Sequence, residues 1–349
     1  MEKLKKLPKE LVSYIPGFII ALGIAAIAKF LESLLPIHII GASVIALFIG
    51  MIINAIWKPT PLFAKGLKFT SKKILKFAII LLGASLNISV VVNVGKQSLV
   101  VMIFTLLTCF GGGYFIGKAL KINWKLSNLI SAGTGICGGS AIAAIAPVID
   151  ADDSDVAYAM SSTFLFDMAM IVLFPIMGRA LGLTDNAYGL WAGTAVNDTS
   201  SVVAAGYAFS EAAGDFATMV KLTRTLSIIP TVITFAIIAA RLERKKQLAA
   251  GMEADSKAKF NITKIIPWFI LGFLALTAIN SFGVIPAEVS AALKDISKFL
   301  MISALAAIGL NTSFKDMMKS GIAPMIHGFI ISALVVIVAI TVEYFMGLV

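Results

Sequence analysis

The chain has 349 residues, 59% of them hydrophobic and 14% charged, with a mean hydropathy of +0.95. Soluble domains carry about 25% charged residues, and transmembrane helices consume about 20 residues each, so the composition excludes both a soluble globular protein and a separate catalytic or nucleotide-binding module. The net charge of +10 is read first through where the positive residues fall relative to the membrane.

Apolar runs occur at about residues 14–35, 37–57, 74–94, 97–118, 127–149, 155–178, 187–209, 217–240, 265–283, 289–310 and 321–346, which makes eleven candidate spans. The first follows Lys3, Lys5, Lys6 and Lys9. It continues to Leu35 without a small-residue cleavage site, so it reads as a retained helix and not a signal peptide. If every run crosses, one set of loops holds Lys58, Lys65, Lys68, Lys72, Lys73 and Lys76, then Lys118, Lys121 and Lys125, then Arg179, the cluster from Arg241 to Lys264, and finally Lys315 and Lys319. The other set holds Asp150, Asp152, Asp153, Asp155, Glu211 and Asp215. The positive-inside rule then places the N-terminus in the cytoplasm and the C-terminus outside. Nucleic-acid binding is not expected.

The polar stretch 241–264 is the natural cytoplasmic linker between an N-terminal part (1–240) and a C-terminal part (265–349) of a single membrane domain. Cys109 and Cys137 lie inside apolar runs, and His38 and His327 have no ligand-like neighbours in sequence, so neither a disulfide framework nor a metal site is indicated. No cofactor is expected, and no His, Cys or carboxylate pair has catalytic spacing.

Two spans are interrupted. The first contains Gly133, Thr134, Gly135, Ile136, Cys137, Gly138, Gly139 and Ser140. Each glycine costs about 1 kcal/mol relative to alanine in a helix, so an unwound middle is expected. The glycines also match a dinucleotide fingerprint, which is discarded because that motif needs a strand and a βαβ unit. The second contains Asn197, Asp198, Thr199, Ser200 and Ser201, five consecutive polar residues that cannot face lipid. Ala132-Gly133-Thr134 echoes Ala192-Gly193-Thr194, and Leu86-Asn87-Ile88-Ser89 echoes Leu310-Asn311-Thr312-Ser313. The second echo is inverted across the membrane, as in inverted repeats. The first runs in one sense if both spans cross, unless one segment is re-entrant.

A broken helix frees N–H groups that suit anions and carbonyls that suit cations. The half-helices beginning near Gly139 and Ser140 and near Thr199 are therefore candidate anion caps. Glycines can instead serve close packing, but here they occupy all faces. Asp167, Lys221 and Arg224 also fall inside spans, where a charge costs about 2.5–3.5 kcal/mol. Asp167, Asp198 and Asn197 are candidates for a coupling ion. Arg224 is a candidate counter-charge for an anion or a structural partner of Asp167 or Asp198, and Lys221 is expected to snorkel to the interface.

The segments LLGASLN (81–87), SAGTGICGGSAIAAIAPVI (131–149) and AGTAVNDTSSVVAAGYA (192–208) resemble the YeiH-like bacterial inner-membrane proteins, which carry a sulfate-exporter label. The resemblance covers nearly the whole chain. It implies an all-α polytopic fold of about eleven helices, with inverted five-helix repeats after an extra first helix, broken or re-entrant helices, and often a homodimer. Residues and resemblance together give the expected substrate site as Thr134, Gly135, Gly138, Gly139, Ser140, Thr199, Ser200, Ser201 and Arg224. The expected function is secondary active transport of a small anion such as sulfate or a sulfonate across the bacterial inner membrane. The alternatives are Na⁺- or H⁺-coupled uptake of an organic anion and, in another class, an anion channel.

Overall fold

The computed structural model describes residues 2–34, 42–249, 268–312 and 321–349. His38, Ser313, Lys315, Lys319 and residues 250–264 of the linker lie outside them. Among the described residues every regular element is helical, and the chain is an all-α polytopic membrane protein. In chain order the helices are α1 (Glu2–Leu34), α2 (Ala42–Ile56), α3 (residues 61–85, with a π-helical turn at Thr70–Ile74) and α4 (Ile88–Ala119, with another at Thr108–Gly112). They continue as α5 (Trp124–Ala132, prolonged by the π turn Gly133–Cys137), α6 (Gly139–Ile145), α7 (Asp153–Ala180), α8 (Asp185–Ala195) and α9 (Thr199–Phe209). The last are α10 (Glu211–Leu226), α11 (Ile228–Ala249), α12 (Trp268–Ser281), α13 (Ala287–Asn311) and α14 (Ile322–Phe345). Among the described residues five helical stretches are long and apolar enough to cross a membrane by themselves: Val12–Leu34, Ile88–Ala119, Ser154–Ala180, Glu211–Leu242 and Ile322–Phe345.

Polar residues at the breaks act as N-caps. Asn87, Asn123, Thr184, Asp198 and Ser210 each accept a hydrogen bond from a backbone N–H in the first turn of the helix that follows. The cap at Asn87 falls inside the run expected at 74–94. There the chain turns from α3 into α4, and α3 begins as early as Pro61. Lys65, Lys68, Lys72, Lys73 and Lys76 therefore sit on α3, and of that group only Lys58 lies in a connection.

Both interrupted segments are re-entrant hairpins. In the first, α5 and α6 return to one face: Asn123 Nδ2 donates to Asp155 Oδ1 at 3.0 Å, and Lys125 donates to the Asp150 carbonyl. Gly133 faces Ile142 across this hairpin. In the second, Ser210 Oγ donates to Asp185 Oδ1 at 2.6 Å, Tyr188 OH donates to the Ala205 carbonyl at 2.9 Å, and Tyr188 stacks on Phe209. Helix α7 runs between the two faces. Asp155 near its start lies beside the base of the first hairpin, and Arg179 at its end donates to the Ala208 and Phe209 carbonyls at the base of the second. The hairpins thus enter from opposite faces and meet at their tips.

The sequence leaves open whether both segments cross or one is re-entrant; both are re-entrant, and this corrects the sides expected for the charges that flank them. Asp150 and Asp155 share a face with Lys125, and Arg179 lies on the opposite one. It also reconciles the two sequence echoes. Residues 132–134 climb from one face while 192–194 descend from the other, so this pair is inverted too.

Beside the hairpins stands a panel of α3, α12 and α13. Ser290 Oγ and Ser297 Oγ on α13 donate to the Ala84 and Ala78 carbonyls of α3 at 2.9 and 2.7 Å, which sets those two helices antiparallel. Gly83 and Phe273, Leu86 and Asn280, and Ile88 and Ser281 bring α12 alongside α3 in the same sense. Helix α2 crosses α13 at Gly50 and Gly309, where an added Cβ would strike backbone on the other helix. Gly309→Leu is therefore expected to destabilise the fold by about 1–3 kcal/mol or more, since backbone cannot yield as a rotamer can. Thermal unfolding in detergent reads this directly.

Candidate functional site

At the first tip the backbone unwinds through the π turn to Gly138, whose φ of 63° and ψ of −133° suit only glycine. At the second, α8 stops at Ala195 and the extended residues Val196 and Asp198 lead into α9. The tips touch where Gly138 faces the Asp198 side chain. Each break leaves orphan carbonyls at one helix end and orphan N–H groups at the next.

Two cations one turn apart on α10 take the carbonyls. Lys221 Nζ donates to the Ile136 carbonyl at 2.8 Å, the Val196 carbonyl at 3.0 Å and the Asn197 carbonyl. Arg224 donates from Nε to the Gly135 carbonyl at 2.8 Å, from one terminal nitrogen to the Val196 carbonyl at 2.9 Å, and from the other to the Thr134 carbonyl. Asp167 takes the N–H groups: its two carboxylate oxygens accept from Asn197 N at 3.0 Å and Asp198 N at 2.9 Å. Asp198 Oδ2 accepts from Ser200 N at 2.9 Å and from Ser200 Oγ at 2.5 Å. Cations thus sit at the negative ends of α5 and α8, and carboxylates at the positive end of α9, so each charge offsets a helix dipole.

This settles where the expected residues stand. Lys221 is fully buried and does not snorkel. Arg224 has backbone carbonyls as partners, where an anion or a carboxylate was expected. Thr134, Gly135, Asn197, Ser201, Asp167 and Arg224 all lie in the buried layer behind the tips. Within it Asn197 Nδ2 lies 3.3 Å and Thr134 Oγ1 3.5 Å from Ser332 Oγ, while Asn197 Oδ1 and Ser201 Oγ have no hydrogen-bond partner among the described residues.

In front of the tips is a cavity of about 790 Å³ between the hairpins, α7 and the panel. Of the expected residues, Gly139, Ser140, Asp198, Thr199 and Ser200 line it. The panel adds Ser71, Lys72 and Lys76 from the π turn of α3 and its continuation, with Phe269, Asn311 and Thr312. In the sequence these lysines read as loop charges. Their signal was present, because Lys76 already fell inside an apolar run. Lys76 Nζ lies 5.3 Å from the centre of the Phe269 ring, and neither Lys72 nor Lys76 forms an ion pair among the described residues. The cavity reaches from the tips towards the face that carries Asn123, Asp155 and the end of α13.

On the opposite face the panel is tied to α10. Lys294 pairs with Asp215 at 2.6 Å and Lys298 with Glu211 at 2.7 Å, and Tyr207 OH also donates to Asp215 Oδ1 at 2.5 Å.

A sequence model of the family described as "Conserved hypothetical protein 698" matches residues 16–328. A UPF0324 membrane protein of Clostridium tetani is 57% identical over 337 residues, 96% of this chain and 98% of its own. A UPF0324 membrane protein of Streptococcus pyogenes is 40% identical over 96% of this chain and 98% of its own length. One from Streptococcus mutans is 37% identical over 95% and 97%.

Proposed function

We propose that this chain, which belongs to the YeiH-like UPF0324 family of membrane proteins, is a secondary transporter of a small anion. The observation that carries the reading is the cavity itself. Two lysines without carboxylate partners among the described residues face the crossing of two opposed hairpins, among the hydroxyls of Ser140, Ser161, Thr199 and Ser200. Lysines at membrane depth are costly unless they meet a wet path or a ligand.

The same geometry supports an orientation. Lys58, Lys118, Lys121, Lys125 and Arg241 share the face towards which the cavity reaches, and the acidic residues moved there weigh little in the positive-inside rule. We assign that face to the cytoplasm of the bacterial inner membrane, with the N-terminus inside and the C-terminus outside. Asp198 is the cavity carboxylate that would carry a proton or meet a Na⁺ ion. Asp167, with both oxygens committed to backbone, serves to shape the tip.

The pairs Lys294 with Asp215 and Lys298 with Glu211 act in this reading as the closed outer gate. Both lysines are largely covered, so the ~0.2–1 kcal/mol typical of an exposed ion pair is taken as the least that each pair contributes. Replacing both lysines by alanine is thus expected to raise the reactivity of a cavity cysteine from the outer face by about 2- to 30-fold. Unchanged outer reactivity would remove the gate from the account.

The test of the transport reading is saturable, counter-anion-dependent anion flux in proteoliposomes. A channel would give flux that neither saturates nor exchanges.

A further inference from the structure

The cavity's size and walls bear on what the anion is. At about 790 Å³ it lies in the range that holds organic ligands, and it has room for roughly 25 waters at ~30 Å³ each. A compact inorganic ion would fill a small part of it. Its walls interleave Leu75, Ile79, Met160, Phe164, Phe269 and Ile308 with the polar groups. A bare oxyanion gains nothing from such walls, since it needs a full shell of donors or retained water to offset its desolvation.

From this arrangement we propose that the cavity takes an organic anion with one oxyanion head and a short apolar body, such as an alkyl- or arylsulfonate or the matching carboxylate. The head meets Lys76, with Lys72 one turn away on the same helix face. The body lies along Phe269 and Phe164. Lys76 Nζ stands 5.3 Å from the Phe269 ring centre, so charge and aromatic surface adjoin one another. Asp198 stands at the tip end of the cavity, with Oδ2 bonded to Ser200. A second negative head placed there would be repelled.

This inference rests on the anion-transport reading, and the experiment separates the two. The full-length protein in detergent is titrated with sodium benzenesulfonate, sodium butanesulfonate and sodium sulfate at constant ionic strength, and the melting temperature is followed. Benzenesulfonate and butanesulfonate are expected to give a saturable rise and sulfate a much smaller one. Lys76→Gln is expected to weaken the organic anions by about 10- to 100-fold, the loss of a charge-assisted hydrogen bond. Phe269→Ala is expected to weaken benzenesulfonate by about 3- to 10-fold, the loss of an aromatic contact, and to leave sulfate unaffected. Sulfate stabilising as well as or better than the sulfonates, with Phe269→Ala silent, would overturn the organic-anion assignment and leave anion transport standing. A wild type that none of the three anions stabilises would overturn both. Stabilisation by sulfonates that survives Lys76→Gln would overturn the placement of the head.

Discussion

Arg224→Met is expected to lower stability by about 2–6 kcal/mol, the scale for leaving two buried carbonyls without a donor at about 1–3 kcal/mol each. The guanidinium bridges the Thr134 and Gly135 carbonyls of one hairpin to the Val196 carbonyl of the other. Without it the Thr134 and Gly135 carbonyls are buried without this donor, the Val196 carbonyl keeps only Lys221, and the two tips lose their shared clamp. Arg224→Lys is expected to restore part of the loss only, because one ammonium cannot reproduce a planar fork aimed at three oxygens. Lys221→Met should act in the same direction, through Ile136, Val196 and Asn197. Denaturant or thermal unfolding of the purified variants measures this. A variant that melts like the wild type but no longer binds anion would instead return Arg224 to the substrate site.

Gly138→Ala is the second large effect. Its backbone lies at a positive φ that L-residues avoid, a strain of about 1–3 kcal/mol. The added Cβ would also lie 2.7 Å from Asp198 Oδ1 and 2.9 Å from its Cβ. The cost therefore falls on the contact between the hairpins, and transport is expected to be lost together with stability. Gly139→Ala is the informative contrast. There the nearest atom to an added Cβ is the Met160 methyl at 4.0 Å, so the protein should melt normally and any change in anion affinity would come from the cavity wall. Melting temperature and anion affinity measured on both variants separate the two glycines. Equal destabilisation would show that the tip geometry does not depend on Gly138.

The breaks themselves were legible in the sequence. Four glycines between Gly133 and Gly139 and five polar residues from Asn197 to Ser201 cannot form lipid-facing helix, and both segments are broken at those places. The direction of the chain through them was not legible, because hydropathy does not distinguish a 22-residue span from a hairpin of two short arms. The arm lengths carried a signal. The arm from Trp124 to Cys137, π turn included, rises about 20 Å, short of a hydrocarbon core about 30 Å thick. The sidedness of the termini could not reveal it either, since two re-entrant segments restore the parity that one would change. In sequence Lys221 reads as an interfacial anchor and Arg224 as a substrate ligand or the partner of a carboxylate, because sequence shows charges but not the carbonyls that broken helices expose. Lys72 and Lys76 were set aside for a related reason: positive charge beside an apolar run satisfies the topology rule, so the cavity they face leaves no separate trace. The hairpins are the fourth and sixth of the ten runs after α1, so they do not take matching places in two consecutive five-run halves.

The central claim is that an anion binds in the cavity before the hairpin tips and that the cavity opens to one face at a time. Thr199→Cys places a thiol on the cavity wall, while the native Cys109 and Cys137 are buried. The variant, in sealed vesicles of known orientation, is treated with a membrane-impermeant maleimide with and without sodium benzenesulfonate or sodium sulfate. The account predicts labelling through the face that carries Lys58 and Lys125, slowed saturably by one of these anions, and little labelling through the opposite face until Lys294 and Lys298 are replaced. Labelling at equal rates from both faces, or at a rate indifferent to every anion, would contradict it.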